Sequence, residues 1–270
     1  MGRVAGYARK VRRISKRWVN QRARPFVHDT GVAARKHVLQ RPDRHRHLVN
    51  IGGGRWFVPR WENVDFYAPW PYVDVRMDLR DLPTLPYPDG SCGAVFCSHV
   101  LEHLPDDAVR HALREMARVL APDGVVRISV PDLEAAFAAY EAGDESFFED
   151  GGVRCVGPTI EQKLVNYFAS YRLDGYSGGP VVEPEVVRTK IAELGRLGFA
   201  AWCAEQIPSE AQYRAHVNAY DATRLIGLGA EAGLALERSS YGESRVPAMR
   251  GPDFDNRPRV SLFVEGGRSA

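Results

Sequence analysis

The sequence predicts an α/β fold in which a mostly parallel sheet carries helices on both faces. Two observations carry that expectation. From about residue 47, short apolar runs ending in glycine or an acid alternate with runs of helical period. Residues 135–215 then break the rhythm with consecutive helical stretches, before strand and helix alternate again to the end. The chain therefore divides into a basic helical extension (1–46), a core (47–134 and 216–270) and a helical insertion (135–215).

Each element has its own signal. "HLVNIGGG" is an apolar run entering a glycine turn, and "WENVDF" is a second strand closed by Asp65. "GAVFCS" reads as a buried strand. "DDAVRHALREMARVLAPDG" follows as a helix, with Val109, Ala112, Leu113, Met116, Val119 and Leu120 on one face and Pro122-Asp123-Gly124 as its closing turn. "VVRISVPD" supplies the next strand. Within the insertion, "LEAAFAAYEAG", "IEQKLVNYFASYR" and "PEVVRTKIAELGRLGF" read as helices whose aromatic residues build a core of their own. "DATRLIGLGAEAGL" is the last helix, Asp221 its N-cap, and "LALERSSY" and "RVSLFVEGG" are the last strands. An insertion before two closing strands is suited to lie as a lid over the carboxyl end of the sheet.

Composition narrows the classes. The apolar fraction is 44%, and no run of about 18 apolar residues marks a membrane span. The four cysteines contain no C-x-x-C pair, and no signal-peptide core precedes them, so a reducing, cytoplasmic setting is expected. The net charge of +2 hides an asymmetry: residues 1–46 hold 14 Lys/Arg against two acids, and the remainder is net acidic. Within 1–20, Val4, Tyr7, Ala8, Val11, Ile14 and Trp18 form the apolar stripe of a basic amphipathic helix. That stripe suits packing on the domain or a second subunit, an anionic membrane surface, or an anionic substrate. The acidic core disfavours nucleic acid as a partner.

Glycines after a first strand let the backbone approach a ligand and open a helix N-terminus toward it. A G-x-G-x-x-G dinucleotide fingerprint would need glycine at position 57, where Phe57 stands, and no G-K-[ST] phosphate loop occurs. Asp65, at the end of the second strand, can accept both ribose hydroxyls of an adenosine.

Taken in series, "LVNIGGG", "WENVDF", "MDLRDLPTLPYPDGS", "AVFCSHVLEHL" and "REMARVLAPDGVVRISVPDLE" resemble the class I S-adenosylmethionine-dependent methyltransferases, most nearly a bacterial branch associated with sugar, polysaccharide and natural-product genes. The resemblance is close over 47–134 and looser over 216–266. It implies a Rossmann-like, seven-stranded sheet and S-adenosylmethionine as cofactor. It also implies a methyl transfer to oxygen or nitrogen of a small polar acceptor. By position, Gly52 and Gly54 form the turn beneath the methionine part, with Asn50 where an acid often stands. Asp65 holds the ribose, and Asp78 with the backbone of Leu79 is the adenine-recognising pair. Ser98 and His99 lie beside the sulfonium, and Asp132 lines the acceptor side. Trp56 departs from the pattern where many relatives have a third glycine, and Cys92-Gly93 replaces the usual Phe-Asp.

His99-x-x-Glu102-His103 also has the H-x-x-E-H spacing of an inverted zinc-protease helix. That reading needs both histidines inside one helix and a third ligand. Here His99 ends a strand, Leu104-Pro105 stops any helix after His103, and spacing marks no third ligand, so no metal is expected. Where the acceptor is a hydroxyl, a base must take its proton. The candidates are His99, Asp132 and His216, with His216, Tyr220 and Asp132 facing the acceptor. Two other functions fit the same residues: a membrane-surface methyltransferase of a lipid-linked glycan, anchored by 1–20, and a non-catalytic S-adenosylmethionine-binding protein.

Overall fold

The computed structural model describes residues 46–53, 58, 60–66, 73–150, 155, 157–170, 181–207, 215–250, 254–255 and 257–269. The basic helix expected over 1–20, and Gly54, lie outside the described residues.

Among the described residues seven strands form one sheet: β1 (His47–Ile51), β2 (Glu62–Asp65), β3 (Val75–Arg76), β4 (Cys92–Ser98), β5 (Leu120–Pro131), β6 (Leu234–Ser239) and β7 (Ser261–Arg268). Their order is β3-β2-β1-β4-β5-β7-β6. β1 to β5 run parallel to one another, while β7 is antiparallel to both β5 and β6. The fold is thus the Rossmann-like, mostly parallel α/β sheet expected from the sequence.

Side chains alternate between two packed faces, as the period of a strand requires. Val49, Ile51, Val95 and Cys97 point into the main core with α1 (Asp106–Val119), which buries Val109, Leu113, Met116 and Val119. Ala94 and Phe96 point the other way, onto Trp61, Met249 and Phe254. α1 begins with Asp106 and Asp107 and ends with Arg118, charges that suit the helix dipole. The Pro122-Asp123-Gly124 turn expected after it lies inside β5 as a bulge. Cys92 pairs with Leu120 but Ala94 pairs with Val125, so the intervening residues of β5 loop out of the ladder. Glycine suits position 124, because a Cβ there would stand 2.8 Å from the Cys92 carbonyl oxygen.

Among the described residues five further helices follow: α2 (Leu133–Ala142), α3 (Glu145–Asp150), α4 (Ile160–Ala169), α5 (Pro184–Glu205) and α6 (Ala222–Glu231). α2 to α5 enclose a second core in which Phe137, Phe147, Phe148, Tyr167, Phe168 and Phe199 are buried. The single helix expected from Pro184 is broken at Gly195, whose φ of +66° and ψ of 178° leave helical space. Only glycine enters that backbone region without strain. Tyr167 is fixed within this core, its hydroxyl donating to the Val260 carbonyl at 2.9 Å.

Candidate active site

The carboxyl ends of β1, β2 and β4 converge on a cleft of about 270 Å3. Its floor is the turn after β1. Gly52 has φ of +71°, its N–H donates to the Val64 carbonyl at 2.8 Å, and a Cβ there would lie 2.0 Å from Val100 Cγ2. Any side chain at 52 would therefore occupy the cleft's wall. Asp65 ends β2 on the opposite side, and Leu79 and Met77 give the cleft an apolar flank.

Asp78 caps the short 3-10 turn Leu79–Asp81 by accepting from the Arg80 N–H, and forms an ion pair with the Arg80 guanidinium at 2.6 Å. The hydrogen bond from Arg80 holds the Asp78 carboxyl below its usual range. This carboxylate, expected to read the adenine edge, thus shares its oxygens with Arg80, a residue that sequence reasoning did not single out.

His99 lies one residue beyond β4 in the left-handed region, with φ of +53°. A single 3-10 turn, Leu101–His103, follows it, and Pro105 then precedes α1. The helix required by the inverted zinc-protease reading is therefore not formed, as Leu104-Pro105 implies. His99 Nδ1 faces Glu102 Oε1 at 3.1 Å, and its Nε2 faces the Ser261 hydroxyl at 2.9 Å. Its ring lines the cleft.

A second cleft, of about 610 Å3, is lined by Pro105, Asp106, Leu197, Val217, Asn218 and Arg224. It shares Arg80 and His103 with the first. The two cavities therefore meet at a wall made by these two side chains.

The remaining candidates fall in different places. Asn50 is buried and donates to Asn63 Oδ1 at 2.9 Å, bridging β1 and β2. Ser98 accepts from the Ser129 hydroxyl at 2.7 Å, tying β4 to β5. Neither belongs to the described lining of either cleft. Asp132 caps α2, accepting from the N–H groups of Glu134 and Ala135 at 3.0 and 3.1 Å, and its other oxygen lies 3.4 Å from Arg238. Tyr220, expected to face the acceptor, is instead buried under α6, where its hydroxyl donates to the Leu101 carbonyl at 3.1 Å. Asp221 is the N-cap of α6, as its position before the helical run implies.

His216 lines neither cleft but packs behind their shared wall, against Glu102 and His103. Its Nε2 lies 3.8 Å from Glu102 Oε1, and its ring stands edge-on to that of His103 with centroids 4.8 Å apart. Burial, followed by the neighbouring His103, pushes its pKa well below the usual imidazole value, so the ring is neutral.

Residues 63–128 match the family model described as "Methyltransferase domain". Over that segment the chain is similar to a methyltransferase domain. The match spans β2 to β5, the segment that supplies Asp65, Asp78, Leu79 and His99 to the cleft. The activity this match indicates is methyl transfer.

Among solved structures, an S-adenosylmethionine-dependent methyltransferase from Mesorhizobium loti is 14% identical, with 87% of this chain and 96% of that chain covered and a TM-score of 0.42. The YcgJ protein of Bacillus subtilis is 15% identical, with 90% and 100% covered and a TM-score of 0.39. PKMT2 from Rickettsia typhi, in complex with AdoHcy, is 12% identical over 83% of this chain and 49% of its own length, with a TM-score of 0.39.

The cleft suits the cofactor on its own geometry. A positive-φ glycine with no room for a Cβ sits at the first turn, a carboxylate ends the second strand, and an apolar flank lies at Met77 and Leu79. These are the surfaces that a methionine tail, a ribose and a purine require.

Proposed function

We propose that this methyltransferase acts on an oxygen or nitrogen of a small polar acceptor, a sugar or a biosynthetic intermediate, admitted through the second cleft. One observation carries the reading: the cofactor cleft and the second cleft share the Arg80–His103 wall, so molecules held in the two cavities meet there. Gly52, Asp65, Asp78 and the backbone of Leu79 would hold S-adenosylmethionine, and Gly54 completes the turn in the sequence-based expectation. When bound, the cofactor supplies a methyl group already activated by a positive sulfonium.

The protein's own work is then alignment, exclusion of water and removal of a proton. Of the three candidate bases, Asp132 spends its carboxylate on capping α2, and both ring nitrogens of His99 have partners. His216, neutral and beside His103, is the member best supported as part of the proton-accepting centre. Helix α5 brings Leu197 and Ala201 into the second cleft, in keeping with a substrate-binding role for the insertion.

Calorimetric titration with S-adenosylmethionine, followed by a mass-shift assay over hydroxyl- and amine-bearing sugars and polar intermediates, tests the reading. Binding is expected to fall at least about tenfold in Asp65→Ala, since a ribose loses the carboxylate acceptor at the end of β2. Equal cofactor affinity in Asp65→Ala and the unaltered protein would sink the assignment of this cleft.

A further inference from the structure

We infer that Glu102, His103 and His216 form a binding site for one divalent first-row transition cation, of the zinc, iron or manganese kind, at the wall between the two clefts. Each residue offers one ligand atom, and these atoms lie within 4.8 Å of one another. The donors of a four-coordinate ion, about 2.1 Å from the metal, stand about 3.4 Å apart. The His216 Nε2 to Glu102 Oε1 separation, 3.8 Å, is already near that value. Spacing alone marks no third ligand for this pair; the fold brings His216 to it from 113 positions further along the chain than His103.

Two observations independent of the clustering point to a ligand. First, Glu102 is 1% exposed, and its Oε2 has no hydrogen-bond partner among the described residues. Its Oε1 is held by His99 at 3.1 Å. A buried anion faced by imidazoles alone lacks the full positive charge that a cation supplies. Second, the His103 tautomer is fixed. Its Nδ1 lies 2.9 Å from the Ala215 carbonyl, which can only accept, so Nδ1 carries the proton and Nε2 keeps a lone pair. Metal-bound histidines are oriented by this kind of outer hydrogen bond.

The donor set selects the class of ion. Two imidazoles and one carboxylate suit zinc, iron or manganese, whereas magnesium and calcium prefer oxygen donors. Three protein ligands leave coordination positions open. Because His103 lines both clefts, an open position facing that wall would take an oxygen of the acceptor. That role rests on the methyltransferase reading above; binding of the cation does not. His99, which touches Glu102 without being one of the three ligands, is a positioning residue for the carboxylate.

The full chain, stripped with a chelator and titrated with Zn2+ by calorimetry and with Co2+ by visible absorption, tests the inference. One cation per chain is expected, with the intense visible bands of four- or five-coordinate Co2+. His216→Ala and His103→Ala should each weaken Zn2+ binding by at least about tenfold, and His99→Ala by about tenfold. His111→Ala, whose ring is held by the Pro83 carbonyl, should bind as the unaltered chain does. Circular dichroism establishes that each variant is folded, and the Co2+ spectrum of the unaltered chain needs no variant. Absence of stoichiometric binding, Co2+ binding without those bands, or undiminished Zn2+ affinity in folded His216→Ala would each overturn the site. S-adenosylmethionine titration of the same samples separates the two readings. Cofactor binding without cation binding overturns the cation site alone, and cation binding without cofactor binding overturns the cofactor assignment alone.

Discussion

The Nε2 atom of His99 lies 2.9 Å from the hydroxyl of Ser261, the first residue of the antiparallel strand β7. On its other side, Nδ1 faces the Glu102 carboxylate, which can only accept, so Nδ1 carries a proton. In the neutral ring, Nε2 then accepts from Ser261, and the lone pair that a general base would use is already engaged.

His99 is therefore expected to act through Glu102 more than on the acceptor. Ser261→Ala, which frees Nε2, should cost about 1 kcal/mol of stability and lower turnover less than tenfold. His99→Ala leaves Glu102 short of a charge-assisted bond and should cost about 2 kcal/mol, read from urea midpoints at constant slope. If Ser261→Ala abolished turnover while leaving the fold and cofactor affinity intact, a direct proton-transfer role for the pair would be the better account.

Gly52 gives the second prediction. An alanine there must adopt φ near +71° and place its Cβ 2.0 Å from Val100 Cγ2. The backbone term is about 1 kcal/mol and the overpacking term about 2 kcal/mol. Gly52→Ala should lower thermal stability and weaken S-adenosylmethionine binding together. Adding Val100→Ala should recover the packing part but not the backbone part. Full recovery in the double variant would mean that the positive φ carries no cost.

Parallel strands buried on both faces are near-continuous apolar runs, so "HLVNI" and "GAVFCS" were legible directly, as was the one-sided period of α1. The two-residue strand Val75–Arg76 has no period to read, and Glu145–Asp150 is too short to show one. Gly195 was visible as a glycine within a helical run, but the run's period passes straight through it. That Gly52, Asp65 and His99 sit at strand ends, where they line the cleft, was legible from their places after apolar runs. The hydrogen bonds of Asn50, Ser98 and Tyr220 were not, because their partners, Asn63, Ser129 and the Leu101 carbonyl, belong to other elements. The approach of His216 to Glu102 is likewise a product of the fold, with no local spacing that could announce it.

The third prediction concerns pH. Glu115 accepts from the Arg118 guanidinium at 2.7 and 2.8 Å and from the Leu85 N–H at 2.6 Å, fastening the segment after the Leu79–Asp81 turn to α1. The Arg118 hydrogen bond holds its carboxyl below the ordinary value of 4.5. A carboxyl with a lower pKa in the folded than in the unfolded chain stabilises above the unfolded value. That contribution is lost as pH falls below about 4.5. Glu115→Gln should cost about 1 kcal/mol at neutral pH, since Arg118 is partly exposed and solvent screens the pair. The gap between variant and unaltered protein should narrow as unfolding is measured from pH 6 to pH 3. A gap that widened in acid would reverse the sign and discard the assignment.

The last prediction tests the buried charge behind the site. Arg127 on β5 is 0% exposed and pairs with Asp255 and, at 3.3 Å, with Glu265. It also donates to the Ser239 hydroxyl and to the Ser240 and Glu243 carbonyls at 2.8–2.9 Å. Every donor on the guanidinium side thus holds the loop between β6 and β7 against the sheet. Removing one partner of such a pair leaves the other as an uncompensated buried charge, at a cost of about 3–5 kcal/mol. Arg127→Met should reach that range, because buried Asp255 would lose its cation while Glu265 keeps only the partly exposed Arg245. Arg127→Met combined with Asp255→Asn should cost less than the sum of the two single changes, since the second removes the stranded anion. Chemical denaturation of the four proteins, read as a double-mutant cycle, measures the coupling. Strict additivity would show that Arg127 contributes through packing and carbonyl bonds, with the ion pair adding nothing.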